Sequence, residues 1–473
     1  MRPFVILAAA LLGAVNALDP ICDAECRKGC DEACQAAIQT TYEAESALWV
    51  GDIVSDPFYS TPANFTGAKP GDILRWEDVP AEQLTSNWTI PAGLSLSRVL
   101  YVTEDVDRKP IPASAWVLLP FHNPFAKPAG GGGGAEQNKL RTVVWTHGTA
   151  GRSRLCAPTN NKGLYYDWKA PFILAESGYA VIAPDYAGQG SDIPQGFMYE
   201  SGWLHVADVA YSLVAARKVI GDLLGSRWMV YGHSEGGMTA WRTNERLAQP
   251  GQEALLAAGE FLGSVAAAPA LRPQKLIPAS LTRAQGQPAR DPFSVYFLQS
   301  LAALFPDQIK VADYLGEIPL QRLGALDKSC FQSGFAIVGG FTPEQLYKST
   351  SWLMLPVTDD WAVRYNGQGP HSVKAPMLVI SGEDDTITPN DLTLDDFNKT
   401  CAAFPGSSIH ARVYPDMGHG QVLEAARADI AAWIDARFEG VPVPEGCVKE
   451  DVETITKRYA TRDIFWHGSV VPF

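Results

Sequence analysis

Tyr231-Gly232-His233-Ser234-Glu235-Gly236-Gly237 follows the apolar run Trp228-Met229-Val230 and precedes a stretch of helical character at 236–247. The order is strand, sharp turn, helix, and its centre has the form Gly-x-Ser-x-Gly. A serine on a strained strand-to-helix turn projects its hydroxyl away from the backbone. Gly232 and Gly236 leave room for that turn against neighbouring elements. The helix behind the serine points its N-terminus, with free N–H groups, at any negative charge developing on a substrate oxygen. Glycine and serine are common, so the pattern alone carries little weight. Its strand–turn–helix setting carries the argument and predicts Ser234 as a nucleophile.

A serine hydroxyl needs a base, expected in this order late in the chain after a last strand. Tyr414-Pro415-Asp416-Met417-Gly418-His419-Gly420 supplies it, after a predicted strand at 409–414 and before a predicted helix at 422–438. The predicted base is His419. His122, His205, His371, His410 and His467 have no comparable setting, and His233 is expected to be directed elsewhere by the turn. A carboxylate must orient the imidazole and stabilise its charged form. Ser381-Gly382-Glu383-Asp384-Asp385-Thr386-Ile387-Thr388-Pro389 offers three acids after another predicted strand. Asp385 is the first choice, from the spacing Gly-x-x-Asp followed by proline, and Asp384 the second. An oxyanion hole needs two backbone donors. One is expected from Glu235, the other from Gly148 or Thr149 in the loop His147-Gly148-Thr149-Ala150-Gly151; His147 is expected to organise that loop.

Around these motifs the chain alternates strands and helices. Strands are predicted at 115–119, 141–146, 179–183, 228–231, 261–268, 377–381 and 409–414, with helices near 170–176, 204–220, 236–247, 391–402 and 422–438. The helix at 204–220 is read as amphipathic. Such alternation predicts an α/β fold: a mostly parallel central sheet with helices on both faces. Residues 1–17 read as a signal peptide, with a basic start, a short apolar run and a cleavage site after Ala17. Residues 18–112 read as a cysteine-rich leader and an N-terminal segment of little periodicity wrapped on the core. The first part of the core is placed at 113–270, an inserted helical lid at 271–370, and the second part of the core, with a C-terminal tail, at 371–473. The run Gly130–Gly134 is a surface loop, since no Lys-Ser/Thr follows that would make it a phosphate cradle.

Composition bounds the partners. The 473 residues are 46% hydrophobic, enough for a large core, and the formal net charge of −14 gives no attraction for nucleic acid. No metal or organic cofactor is expected. No stretch after the signal is long and apolar enough to cross a membrane, so a secreted, extracellular protein is predicted, with transient contact at a lipid interface allowed and the oligomeric state open. Eight cysteines fit an oxidising compartment. Cys22, Cys26, Cys30 and Cys34 recur every four residues, which on one helix puts them on one face; two local disulfides are favoured over a metal site, with three pairings open. Asn64, Asn87 and Asn398 head glycosylation sequons.

The motifs together resemble the secretory lipase family of fungi and bacteria, the type represented by yeast lipase A, within the α/β-hydrolase superfamily. The matching stretches are Thr146-His147-Gly148-Thr149, Leu155-Cys156-Ala157-Pro158, Gly178-Tyr179-Ala180-Val181-Ile182-Ala183-Pro184-Asp185-Tyr186, the serine turn, and the Gly382 and Gly418-His419 loops, within a span of 116–447. The resemblance implies ester hydrolysis, often of lipid esters, under a helical lid. It also implies the disulfides Cys156–Cys330 and Cys401–Cys447. Two features depart from it: the four-cysteine leader, and Glu235, whose carboxylate is expected either to repel anionic acids or to point into solvent.

The leading reading is a serine carboxylic ester hydrolase, a lipase or esterase, acting on a small-molecule or lipid ester through an acyl-enzyme. A secreted serine peptidase on the same scaffold would need an anchor for a peptide terminus, for which Glu235 or acids of the insertion are candidates. An inactive binding protein is the third reading; the three motifs in order argue against it.

Overall fold

The computed structural model describes residues 20–126, 135–165 and 170–459. The signal peptide at 1–17 and the glycine run at 130–134 lie outside the described residues.

Ten strands form one sheet: β1 (Ile73–Asp78), β2 (Leu94–Glu104), β3 (Pro110–Pro120), β4 (Leu140–Thr146), β5 (Ala180–Pro184), β6 (Leu224–His233), β7 (Glu260–Ala267), β8 (Met377–Gly382), β9 (Ile409–Tyr414) and β10 (Cys447–Asp451). Their order is β1-β2-β3-β5-β4-β6-β7-β8-β9-β10. From β5 onward every neighbouring pair is parallel, whereas β1, β2, β3 and β5 pair antiparallel in turn. The central parallel strands β5 and β8 are buried on both faces, which is why they read as unbroken apolar runs, whereas β10 at the edge is largely exposed. Successive residues feed opposite layers: Val143, Val181 and Met229 join one apolar cluster, and Val144, Ile182 and Val230 the other.

The structure departs from the sequence reading in several places. Residues 46–112, where the sequence shows little periodicity, carry β1 and β2. Nearly all of β2 is buried, so the alternation of Leu94-Ser95-Leu96-Ser97 gives way to the apolar run Val99-Leu100-Tyr101-Val102. The helix Gly202–Ile220 is buried nearly all round rather than on one stripe, because the sheet lies on one side and the segment Ala362–Asn366 on another. The helix expected at 422–438 is broken at Ala426 into Gln421–Ala425 and Arg427–Phe438. The leader is two helices, Ala24–Lys28 and Glu32–Ser46, not one. Gly29 ends the first, and Asp31 caps the second by accepting the Cys34 N–H at 2.9 Å.

The cysteines of the leader pair as Cys22–Cys26 and Cys30–Cys34, and the others as Cys156–Cys330 and Cys401–Cys447. Between β7 and β8 the chain makes a helical insertion that includes Pro273–Arg283, Pro292–Leu304 and Phe331–Val338. Among the described residues no helix is long and apolar enough to cross a membrane. Asn87 and Asn398 are exposed, and Asn64 lies in the short turn Ala63–Phe65.

Candidate active site

The turn after β6 has the strain that its motif implies. Ser234 has φ 60° and ψ −124°, outside the regions open to ordinary residues, and the helix Glu235–Arg246 starts at the next residue. A Cβ on Gly232 would lie 2.0 Å from Thr146 Oγ1, and one on Gly236 would lie 2.0 Å from the Thr146 carbonyl oxygen. Both positions therefore exclude side chains, and the end of β4 is pressed against the turn. The Thr146 hydroxyl completes the joint by donating to the Gly236 carbonyl at 2.8 Å.

Asp385 follows β8 and is almost wholly buried. Its Oδ1 accepts the N–H groups of Ile387 and Thr388, each at 2.8 Å. Its Oδ2 accepts the Thr388 hydroxyl at 2.7 Å and the His419 ring at Nδ1, 2.8 Å away. Burial alone would raise its pKa, but the His419 imidazole and these hydrogen bonds outweigh it and hold the carboxyl below its ordinary value. Asp384, the second choice, is exposed; its N–H donates to the Met417 carbonyl at 3.0 Å and so joins the acid loop to the histidine loop.

Ser234 and His419 border one cavity of about 900 Å³, with Gly148 and Thr149 from the loop after β4. The Asp385–His419 bond engages the imidazole through Nδ1. Glu235, as the first helical residue, has an N–H outside the helix ladder. The insertion supplies apolar wall from Phe293, Phe297, Phe331 and Phe335.

Sequence reasoning missed three supports. Thr388 joins Asp385 and His419, since its hydroxyl also lies 3.2 Å from His419 Nδ1 and 3.1 Å from the Ala268 carbonyl. Its position three residues after Asp385, where a threonine can close a hydrogen-bonded turn, was the available signal. His233 is not directed away: its Nε2 lies 2.8 Å from the His419 carbonyl. The third is Glu200, distant in sequence from every motif, which is buried beside Glu235. His147 is buried, its Nδ1 lies 2.7 Å from the Gly148 carbonyl, and its ring stacks on Tyr186. Burial lowers its pKa to about 4, so it is neutral near pH 7.

Glu235 corrects both expectations for its carboxylate. It neither faces solvent nor borders the cavity where it could repel an acid: it is fully buried, and its Oε1 accepts the Glu200 N–H at 3.1 Å. Burial raises its pKa to about 8.

Residues 143–433 match the profile of the Alpha/beta hydrolase family. The chain belongs to that family. Among alpha/beta hydrolases it is similar to trichothecene C-3 esterase of Fusarium sporotrichioides, 25% identical over 84% of this chain and 87% of that one. It is also similar to lipase 10 of Candida albicans, 24% identical over 83% of this chain and 82% of that one. In structure this alpha/beta hydrolase resembles lipase A of Candida antarctica, with TM-score 0.64 and 16% identity, over 86% of this chain and 91% of that one. It also resembles the rice cell wall degrading esterase LipA of Xanthomonas oryzae, with TM-score 0.54 and 18% identity, over 80% of this chain and 97% of that one. At such identities the structural likeness speaks to the fold.

Proposed function

We propose that this alpha/beta hydrolase is a secreted carboxylic ester hydrolase, a lipase or esterase, that works through an acyl-enzyme on Ser234. The observation that carries the reading is the 2.8 Å bond from Asp385 to His419 Nδ1 at the edge of the cavity into which Ser234 opens. Relatives that are an esterase and a lipase over most of their length support the substrate class.

In this reading the Ser234 hydroxyl attacks the ester carbonyl while His419 takes its proton at Nε2. Asp385 holds the imidazole in the Nδ1–H tautomer and stabilises its cation. The backbone N–H groups of Glu235 and of Thr149 or Gly148 receive the oxyanion. The proton passes from His419 to the departing alkoxide, and water then attacks the acyl-enzyme with the same imidazole as base. Residues 271–370 form the lid over this site. Four disulfides and the leading signal sequence support secretion. The peptidase reading loses one of its candidate anchors, because Glu235 does not border the cavity, and keeps an acid of the insertion, Asp291, which does.

The test is hydrolysis of short and long p-nitrophenyl esters and of aminoacyl anilides by the protein and by Ser234→Ala. Ester turnover that vanishes in Ser234→Ala is expected. Anilide cleavage without ester turnover would replace the reading by a peptidase, and ester turnover surviving in Ser234→Ala would reject the nucleophile.

A further inference from the structure

The cysteine-stapled leader has no part in the chemistry above, yet its end borders the cavity. Glu45, Leu48 and Trp49 all line it. At this point the leader is held from two sides, by the core and by the insertion.

On the core side it makes a short strand-like joint. Val50 N–H donates to the Asn160 carbonyl at 2.6 Å, and Lys162 N–H donates to the Leu48 carbonyl at 2.8 Å. Trp49 packs against the cluster of Ala150, Cys156 and Cys330, and its ring meets Tyr42 edge-on at 5.7 Å.

On the side of the insertion, Glu45 reaches the start of the helix Phe331–Val338. Its carboxylate accepts the N–H groups of Cys330 at 2.9 Å, Gln332 at 2.8 Å and Ser333 at 3.4 Å, and the Ser333 hydroxyl at 2.6 Å. Those N–H groups have no partner inside the helix, so a carboxylate from 285 residues away serves as its cap. A second tie lies further along, where the Arg322 guanidinium donates to the Gly29 carbonyl at 2.7 Å. The disulfide Cys156–Cys330 joins core and insertion at the same place.

We propose that the leader is a fixed wall of the substrate cavity, that Trp49 limits the size of ester the cavity accepts, and that Glu45 holds the helix Phe331–Val338 against that wall. The proposal rests on the ester hydrolase reading at Ser234. A wall built from an indole, and fastened to both neighbouring parts, cannot swing aside for a larger substrate. Truncating the indole enlarges the cavity without touching Ser234, Asp385 or His419.

The experiment compares kcat/KM for a p-nitrophenyl butyrate with that for a bulky or long-chain p-nitrophenyl ester in the wild type, Trp49→Phe and Trp49→Ala. The ratio of bulky to short is expected to rise about tenfold or more in Trp49→Ala, with Trp49→Phe between. A purely structural role would lower both rates together and leave the ratio in place, which would overturn the assignment of Trp49. For Glu45, hydrogen exchange is followed in the amides of 330–338. Faster exchange in Glu45→Gln is expected, and unchanged protection would overturn the cap. If Trp49→Ala does not fold, the ratio in Trp49→Phe decides, since the smaller ring already enlarges the cavity. Labelling of wild-type Ser234 by a serine-directed phosphonate is run alongside. Its absence would break the ester hydrolase reading, whereas labelling with an unchanged ratio breaks this proposal alone.

Discussion

His233 donates from Nε2 to the carbonyl oxygen of His419 at 2.8 Å, and the two rings lie 4.6 Å apart. The residue before Ser234 thus ties down the backbone that carries His419. Burial, with the His419 ring adding to it, lowers the pKa of His233 to about 3, so it stays a neutral Nε2–H donor through the working range. Replacing it by phenylalanine keeps a ring and removes the donor. We expect His233→Phe to lower kcat by roughly tenfold to a hundredfold with KM little changed, as displacement of a catalytic group by about 1 Å does. Steady-state kinetics on a short ester check this, and an unaltered kcat would show that the contact does not position His419.

The acid loop separates two neighbouring aspartates by burial. Asp385 is enclosed and bound to His419, whereas Asp384 is exposed. Asp385→Asn disturbs the imidazole tautomer and is expected to cost about 10⁴ in kcat. Asp384→Asn is expected to stay within a few-fold. Thr388→Val removes one hydroxyl from Asp385 and His419 and is expected to fall between them. Parallel kinetics of the three variants decide the order; a larger loss in Asp384→Asn than in Asp385→Asn would move the role.

Ser234 holds a backbone conformation that costs on the order of 1–3 kcal/mol for a residue with a Cβ. Glycine adopts φ 60° freely, though it also adds freedom to the unfolded chain. Ser234→Gly is therefore expected to abolish turnover while raising the thermal midpoint. Calorimetry of wild type and variant tests this, and a lower midpoint in Ser234→Gly would mean that the turn is not strained by its side chain.

How far the sequence reached follows from what each motif depends on. The turn at Ser234 is dictated locally: two glycines without room for a Cβ and a helix beginning at once. Asp385 and His419 follow strands and keep a fixed order, so they too were readable. β2 was not, because its alternation is confined to Leu94–Ser97, the rest is buried on both faces between β1 and β3, and no helix follows it. The break at Gly29-Cys30-Asp31 was hidden by the four-residue cysteine spacing, which suggested a single helix, although Asp31 is a capping residue. Contacts such as Glu45 to Ser333 and Glu200 to Glu235 join residues whose positions share no local pattern, and only the folded chain brings them together.

Glu235 and Glu200 are both fully buried, and Oε2 of each has no hydrogen-bond partner. Around them stand Tyr199, Asp291 and the Thr149 hydroxyl; His147 and His205 are held neutral, at about 4 and about 3, chiefly by burial. Arg242, two turns along the helix from Glu235, is engaged with Glu245 at 2.6 Å. Burial is the main cause that raises both carboxyls, no cation among the described residues being a named cause of either shift, and the charge of Glu235 raises Glu200 further. The sign is that of an acid with a raised pKa: Glu235 is neutral below about pH 8 and ionises as pH rises through it. The anion would then lie behind the backbone N–H that we propose receives the oxyanion, opposing the charge that develops there. We expect kcat/KM to fall reversibly above about pH 8, approaching tenfold per pH unit for a single ionisation. Glu235→Gln, which cannot ionise, should lose that fall whatever its plateau. A wild-type profile level through pH 9, checked by circular dichroism for an intact fold, would mean that the pair does not ionise in that range, and an unchanged alkaline limb in Glu235→Gln would assign it to another group.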